Sequence, residues 1–102
     1  MENWIKVCAV EDIPLMGARV VKREACDIAL FRDGSDQVYA LRDKCPHKGG
    51  PLSQGIVSRG RVTCPLHGMS INLNDGKAVL PDEGCTVPYQ VKVDQGIVFL
   101  AI

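Results

Sequence analysis

The stretch Cys45-Pro46-His47-Lys48-Gly49-Gly50-Pro51-Leu52 and its echo Cys64-Pro65-Leu66-His67-Gly68 are the most telling part of this 102-residue chain. Both histidines of the sequence stand here, each close behind a cysteine and a proline, and sixteen residues separate His47 from Cys64. Pro46, Gly49, Gly50, Pro51, Gly55, Gly60, Pro65 and Gly68 all fall within residues 43–70. Glycine opens backbone conformations that other residues avoid, and proline fixes φ, so this density suits two tight loops wrapped around something small. Residues 43–70 are therefore expected to be a site-bearing excursion from a regular scaffold.

Outward from that excursion, short apolar segments alternate with turn residues, the pattern of an all-β domain. Strands are expected over residues 4–8, 18–22, 27–31, 38–41, 61–64, 69–73, 90–93 and 97–100. Asp33-Gly34-Ser35, Ser58-Arg59-Gly60, Asn74-Asp75-Gly76 and Asp94-Gln95-Gly96 supply turn chemistry between them. Tyr89, Val91 and Val93 alternate with Gln90, Lys92 and Asp94, as in a strand with one wet face. Ile28-Ala29-Leu30-Phe31 and Ile97-Val98-Phe99-Leu100 are apolar at every position, which predicts burial on both faces. Residues 11–15 read as a connector with a turn of helix, and no long window carries a 3.6-residue period. The expected scaffold is an antiparallel sandwich or partial barrel, a single domain over residues 1–102.

Composition narrows the function. Twelve basic residues balance twelve acidic ones, so the chain lacks the basic excess with which proteins neutralise nucleic-acid phosphates. No apolar run approaches the roughly 20 residues that span a bilayer, and no basic segment followed by an apolar one marks a secretory leader. A cytoplasmic protein with no nucleic-acid or membrane partner is expected. In that compartment five cysteines, an odd number, fit metal binding by a subset better than a disulfide framework.

Two thiolates and two imidazoles can hold zinc or an iron–sulfur cluster. A structural zinc ion, the hallmark of a non-redox interaction module, usually takes two ligands from one knuckle separated by two to four residues. Cys45 and His47 have only one residue between them, which makes shared chelation awkward. Two sulfide-bridged irons remove the difficulty, because each loop can give its cysteine to one iron and its histidine to the other.

With Cys45-Pro46-His47, Gly49-Gly50-Pro51-Leu52 and Cys64-Pro65-Leu66-His67-Gly68 in these positions, the sequence resembles the Rieske [2Fe–2S] family over nearly its whole length. The resemblance implies a scaffold of three antiparallel sheets and one cluster per chain. Cys45 and Cys64 would hold the inner iron, and His47 and His67 the outer one, through which the electron passes. It implies one-electron transfer with no independent catalysis. Two ferric ions, two sulfides and two thiolates sum to roughly zero charge, about two units less negative than four-thiolate ligation, so the cluster accepts an electron more readily. Gly50 and Leu66 stand where high-potential Rieske proteins carry a bridging disulfide, and Met69 stands where they place a hydrogen-bonding serine. The expected potential therefore lies at the low end of the Rieske range, about −150 mV or below.

Two small Rieske subfamilies compete. The Trp4–Cys8 opening suits both. The stretch Gly76-Lys77-Ala78-Val79-Leu80-Pro81-Asp82-Glu83-Gly84-Cys85-Thr86-Val87-Pro88-Tyr89 is similar to the small subunit of assimilatory NAD(P)H-dependent nitrite reductase, as is Gly49–Val57. That resemblance implies a large sirohaem and flavin partner subunit. The alternative is a ferredoxin serving an aromatic-ring dioxygenase. Residues 80–88 are expected to cover the cluster. Cys8 and Cys26 are expected in the core, and Cys85 as a packed loop thiol or a neighbour of the cluster. Lys44 and Lys48 read as a solvated pair or as a docking charge for an acidic partner rim.

Overall fold

The structure, a computed structural model, describes residues 4–23, 26–45, 50–64, 68–79 and 84–101. Among these, three antiparallel sheets account for all the strands. One sheet sets β1 (Trp4–Ala9) beside β10 (Ile97–Ala101) and β9 (Val91–Asp94), so the two ends of the described chain pair with each other. A four-stranded sheet runs in the order β2 (Ala18–Val21), β3 (Ile28–Arg32), β4 (Val38–Arg42), β8 (Pro88–Tyr89). The third is a meander of β5 (Ile56–Ser58), β6 (Arg61–Thr63) and β7 (Ser70–Asn72).

The four-stranded sheet is the middle layer, and β3 shows why. All four residues Ile28, Ala29, Leu30 and Phe31 are buried, and they divide by parity between two cores. Ala29 and Phe31 join Leu41, Leu52, Val57, Val62, Ile71 and Leu73 against the β5–β7 meander. Ile28 and Leu30 join Cys8, Ile13, Ala40, Val98 and Leu100 against the terminal sheet. Successive side chains of a strand point to opposite faces, so a strand apolar at every position can serve two cores at once. Ile28, Leu30 and Phe31 each contribute ~1.5–3 kcal/mol by leaving water.

The second strand expected to be buried on both faces is not. In β10 only Val98 and Leu100 are buried, while Phe99 is partly exposed on the outer face. Lys92, directly opposite Phe99 in the β9–β10 ladder, holds its ammonium 5.2 Å from the Phe99 ring and 5.0 Å from the Trp4 ring. A cation over aromatic faces gives Phe99 a partner without a third layer.

Two hairpins close on two-residue turns, between Ser58 and Arg61 and between Asp94 and Ile97. Both central residues of each take positive φ, Arg59 and Gly60 at 54° and 75°, Gln95 and Gly96 at 50° and 76°. That is the type I′ geometry, whose twist matches the strands it joins. In the β3–β4 connection the left-handed residue is Asp36 rather than Gly34. The connector after β1 contains the expected helical turn, a 3₁₀ helix over Val10–Asp12. Strands β5 and β8 are additional to those read from the sequence.

Cys8 is buried in the core, as expected, whereas Cys26 is not a core residue. Its Sγ lies 3.4 Å from the Tyr89 hydroxyl, a polar contact that leaves it half-buried. Burial, with a smaller push from Asp12, raises the Cys8 thiol above its ordinary 9.0. The hydrogen bond to Cys26 and partial burial raise the Tyr89 phenol above its ordinary 10.0. Both acids hold their protons more tightly folded than unfolded. Their stabilising contribution is therefore complete below the ordinary pKa and is lost as pH rises through the folded one. Thermal midpoints should stay level from neutral pH to about 8 and fall above about 9, with a shallower fall in Cys8→Val. A parallel fall in wild type and variant would show that Cys8 does not contribute.

Candidate metal centre

Cys45 leaves the end of β4, and Cys64 leaves the end of β6, so the two thiols come from different sheets. Both nevertheless sit in one buried cluster with Leu52, Val62, Met69 and Ile71, at 2% and 1% exposure. Sequence reading paired them from spacing; the fold brings them to the same apolar wall.

Each cysteine opens a six-residue loop closed in the same way. The Cys45 amide donates to the Gly50 carbonyl at 2.7 Å, and the Cys64 amide donates to the Met69 carbonyl at 2.7 Å. The Gly68 amide returns to the Cys64 carbonyl at 3.0 Å, with Gly68 in the left-handed region at φ 70°. His47 lies within the first loop's sequence and His67 within the second's; both fall outside the described residues, as does Lys48. Lys44 is exposed.

The first loop is also fastened from outside. Asp43 accepts the Ser53 amide at 2.7 Å and the Ser53 hydroxyl at 2.8 Å. Ser53 belongs to a 3₁₀ helix, Leu52–Gln54, whose Leu52 is in the core. Gly55 follows, and a Cβ there would run into the Thr63 carbonyl oxygen and come within 2.9 Å of Val62 Cγ2. The missing side chain lets the returning arm of the first loop lie directly on β6, the strand that delivers Cys64. Sequence reading took Gly55 as loop composition and, with Ser53, as part of the Gly49–Val57 resemblance, and missed both Asp43 and its bonds to Ser53; two common residue types ten positions apart carried no signal of their own.

Of the expected covering segment, residues 80–83 lie outside the described residues, and the remainder is anchored. The Ala78 amide donates to Gly84 at 2.9 Å, and the Thr86 amide to Gly76 at 2.8 Å. The buried Thr86 donates its hydroxyl to the Arg42 carbonyl at 3.1 Å, three residues before Cys45. Cys85 is exposed, opposite Lys77, and is not a packed thiol: the short bridge turns it outward.

Two buried sulfur donors at the mouths of matched loops suit a soft metal centre, and the donor set fits an iron–sulfur cluster. No helix among the described residues is long and apolar enough to cross a membrane. The model of the Rieske [2Fe–2S] domain matches residues 3–92. Ferredoxin CarAc of Metapseudomonas resinovorans is 37% identical over 102 residues, covering 96% of this chain and 92% of its own. A chain in the complex of reduced oxygenase and oxidised ferredoxin in carbazole 1,9a-dioxygenase superposes with TM-score 0.85 at 32% identity, covering 99% and 94%. A protein described as a nitrite reductase NADPH small subunit superposes with TM-score 0.86 at 29% identity, covering 98% and 99%. Some relatives, among them the chloroplastic protein TIC 55 of Pisum sativum and apoptosis-inducing factor 3 of Homo sapiens, are far longer, and the chain spans about a fifth of their length or less. With this match over most of its length, the chain is a member of the Rieske [2Fe–2S] family, and its cofactor is a [2Fe–2S] cluster.

Proposed function

We propose that Cys45, His47, Cys64 and His67 hold the cluster, and that the chain is the small subunit of an assimilatory NAD(P)H-dependent nitrite reductase. The observation that carries the ligand assignment is the pair of identically closed loops, each opening on a buried cysteine of one common core. A bound Rieske cluster supplies a one-electron store that fills and empties without bond rearrangement. The chain's own part is to hold and seal. Cys45 and Cys64 offer thiolates from two sheets, Val62, Met69 and Ile71 keep water from that wall, and the loop-closing amides fix where each cysteine stands.

The choice of partner is supported by Pro81-Asp82-Glu83-Gly84-Cys85 and by near-complete mutual coverage with the protein described as a nitrite reductase small subunit. A second reading, ferredoxin for an oxygenase, is favoured by the 37% identity to CarAc over nearly the full length of both chains. Either reading assigns a larger redox partner. Purified anaerobically, the protein should carry iron and acid-labile sulfide. Mixed with a sirohaem flavoprotein partner, it should be required for nitrite-dependent NAD(P)H oxidation. Stimulation of a ring dioxygenase with no effect of nitrite would overturn the first reading in favour of the second. A colourless zinc protein would overturn both.

A further inference from the structure

We infer that Asp43 and Ser53 form a clasp that holds the first cysteine loop shut, a positioning pair for the cluster; this rests on the ligand assignment proposed above. The two loops share their inner closure, cysteine amide to carbonyl at 2.7 Å, but differ in what lies beyond it. The second loop sits on a β-ladder. Immediately outside Cys64 and Met69, Thr63 pairs with Ser70, and their hydroxyls meet at 3.2 Å. Among the described residues the first loop has no such ladder. Strand β4 ends at Arg42, and the returning arm is the 3₁₀ helix Leu52–Gln54.

Asp43 supplies the missing rung. It stands two residues before Cys45, one position further out than Thr63 is from Cys64, and reaches across the loop mouth to two donors of one residue. Its own amide donates to the Asp27 carbonyl at 2.9 Å, so the carboxylate is held from behind. On the far side, Pro51 at the helix cap makes no side-chain capping bond, and the Ser53 amide at that end is met by Asp43 instead. Two hydrogen bonds from one partner fix direction as well as distance. Without them, among the described residues, the Cys45–Gly50 bond is what joins the two arms of the first loop by hydrogen bonding, and the arms can part more easily.

The test is a double-mutant cycle on the cluster-loaded protein, reading the lifetime of the visible chromophore under an iron chelator and the reduced-state electron paramagnetic resonance spectrum. Asp43→Ala, which removes both bonds, should shorten the lifetime roughly tenfold or more, and Ser53→Ala, which keeps the backbone amide donor and loses only the hydroxyl, should shorten it by a smaller but clear factor of about threefold. The double variant should lose its cluster no faster than Asp43→Ala, because the two residues act through each other. Asp43→Asn should restore the lifetime to within about threefold and the wild-type spectrum, since its amide can accept the Ser53 N–H and donate to the Ser53 oxygen. Asp36→Asn, which alters a carboxylate paired with Arg32 outside the loop, should leave both readouts unchanged. If Asp43→Ala assembles no cluster, Ser53→Ala and Asp43→Asn still decide the matter. Wild-type lifetimes in Ser53→Ala, multiplying effects in the double variant, or an Asn variant as poor as Ala would overturn the clasp alone. Absence of iron and sulfide from wild-type protein would overturn the ligand assignment, and with it the role given to the clasp.

Discussion

Changing Gly55 to alanine is expected to lower the thermal midpoint by about 15 °C and to yield protein largely without cluster. The effect does not come from backbone torsion. It comes from the close approach of the first loop's returning arm to β6, where a Cβ would meet the Thr63 carbonyl oxygen, with Val62 Cγ2 at 2.9 Å and the Leu52 carbonyl at 3.1 Å. A flexible side chain could yield; a carbonyl within a strand cannot without breaking the ladder that positions Cys64. Inserting a methyl into a filled space costs typically 1–3 kcal/mol. Here the obstruction is backbone, so about 3 kcal/mol is expected, and a domain of this size loses several degrees per kcal/mol. Cluster content and thermal midpoint, measured on the same preparation, test the argument. An alanine variant with full iron content and an unchanged midpoint would show that the two arms do not need their contact.

Cys45→Ser should abolish cluster retention altogether. Serine is nearly the same shape but offers a hard oxygen where a soft thiolate is needed, and places a hydroxyl in an apolar wall at a cost of ~1–3 kcal/mol. Circular dichroism should still report a β protein, while iron, labile sulfide and visible absorption vanish. Cys26→Ser and Cys85→Ser provide the contrast. Cys26 touches Tyr89 and Cys85 is exposed on a bridge with Lys77, so both variants should retain the wild-type chromophore. Equal loss in the Cys85 variant would place that thiol among the ligands and undo the assignment.

Much of this architecture is legible because strand periodicity and turn chemistry are local signals. The Ile28–Phe31 run announces a doubly buried strand, and Arg59-Gly60 and Gln95-Gly96 fall where the hairpins turn. Strand β5 is harder to read, being three residues long with Ile56 facing water. Strand β8 begins with Pro88, tolerable because it is the first residue of a sheet edge. The outward position of Phe99 depends on Lys92 across the ladder, and that of Cys26 on a tyrosine 63 positions away. Cys45 and Cys64 announce themselves through Pro/Gly framing. The Asp43–Ser53 bonds do not, since neither residue type nor a ten-residue gap is unusual in a surface loop.

The sharing of one strand between two cores bears on how this protein comes apart. Because Ile28–Phe31 supplies side chains to both, neither half can melt and leave the other with an intact inner wall. The molecule is accordingly expected to unfold as one cooperative unit despite its three layers, and the amides of β3 should be the last to exchange their hydrogens with solvent. Damage at the terminal sheet, far from the metal, is then felt at the metal as a loss of the whole fold.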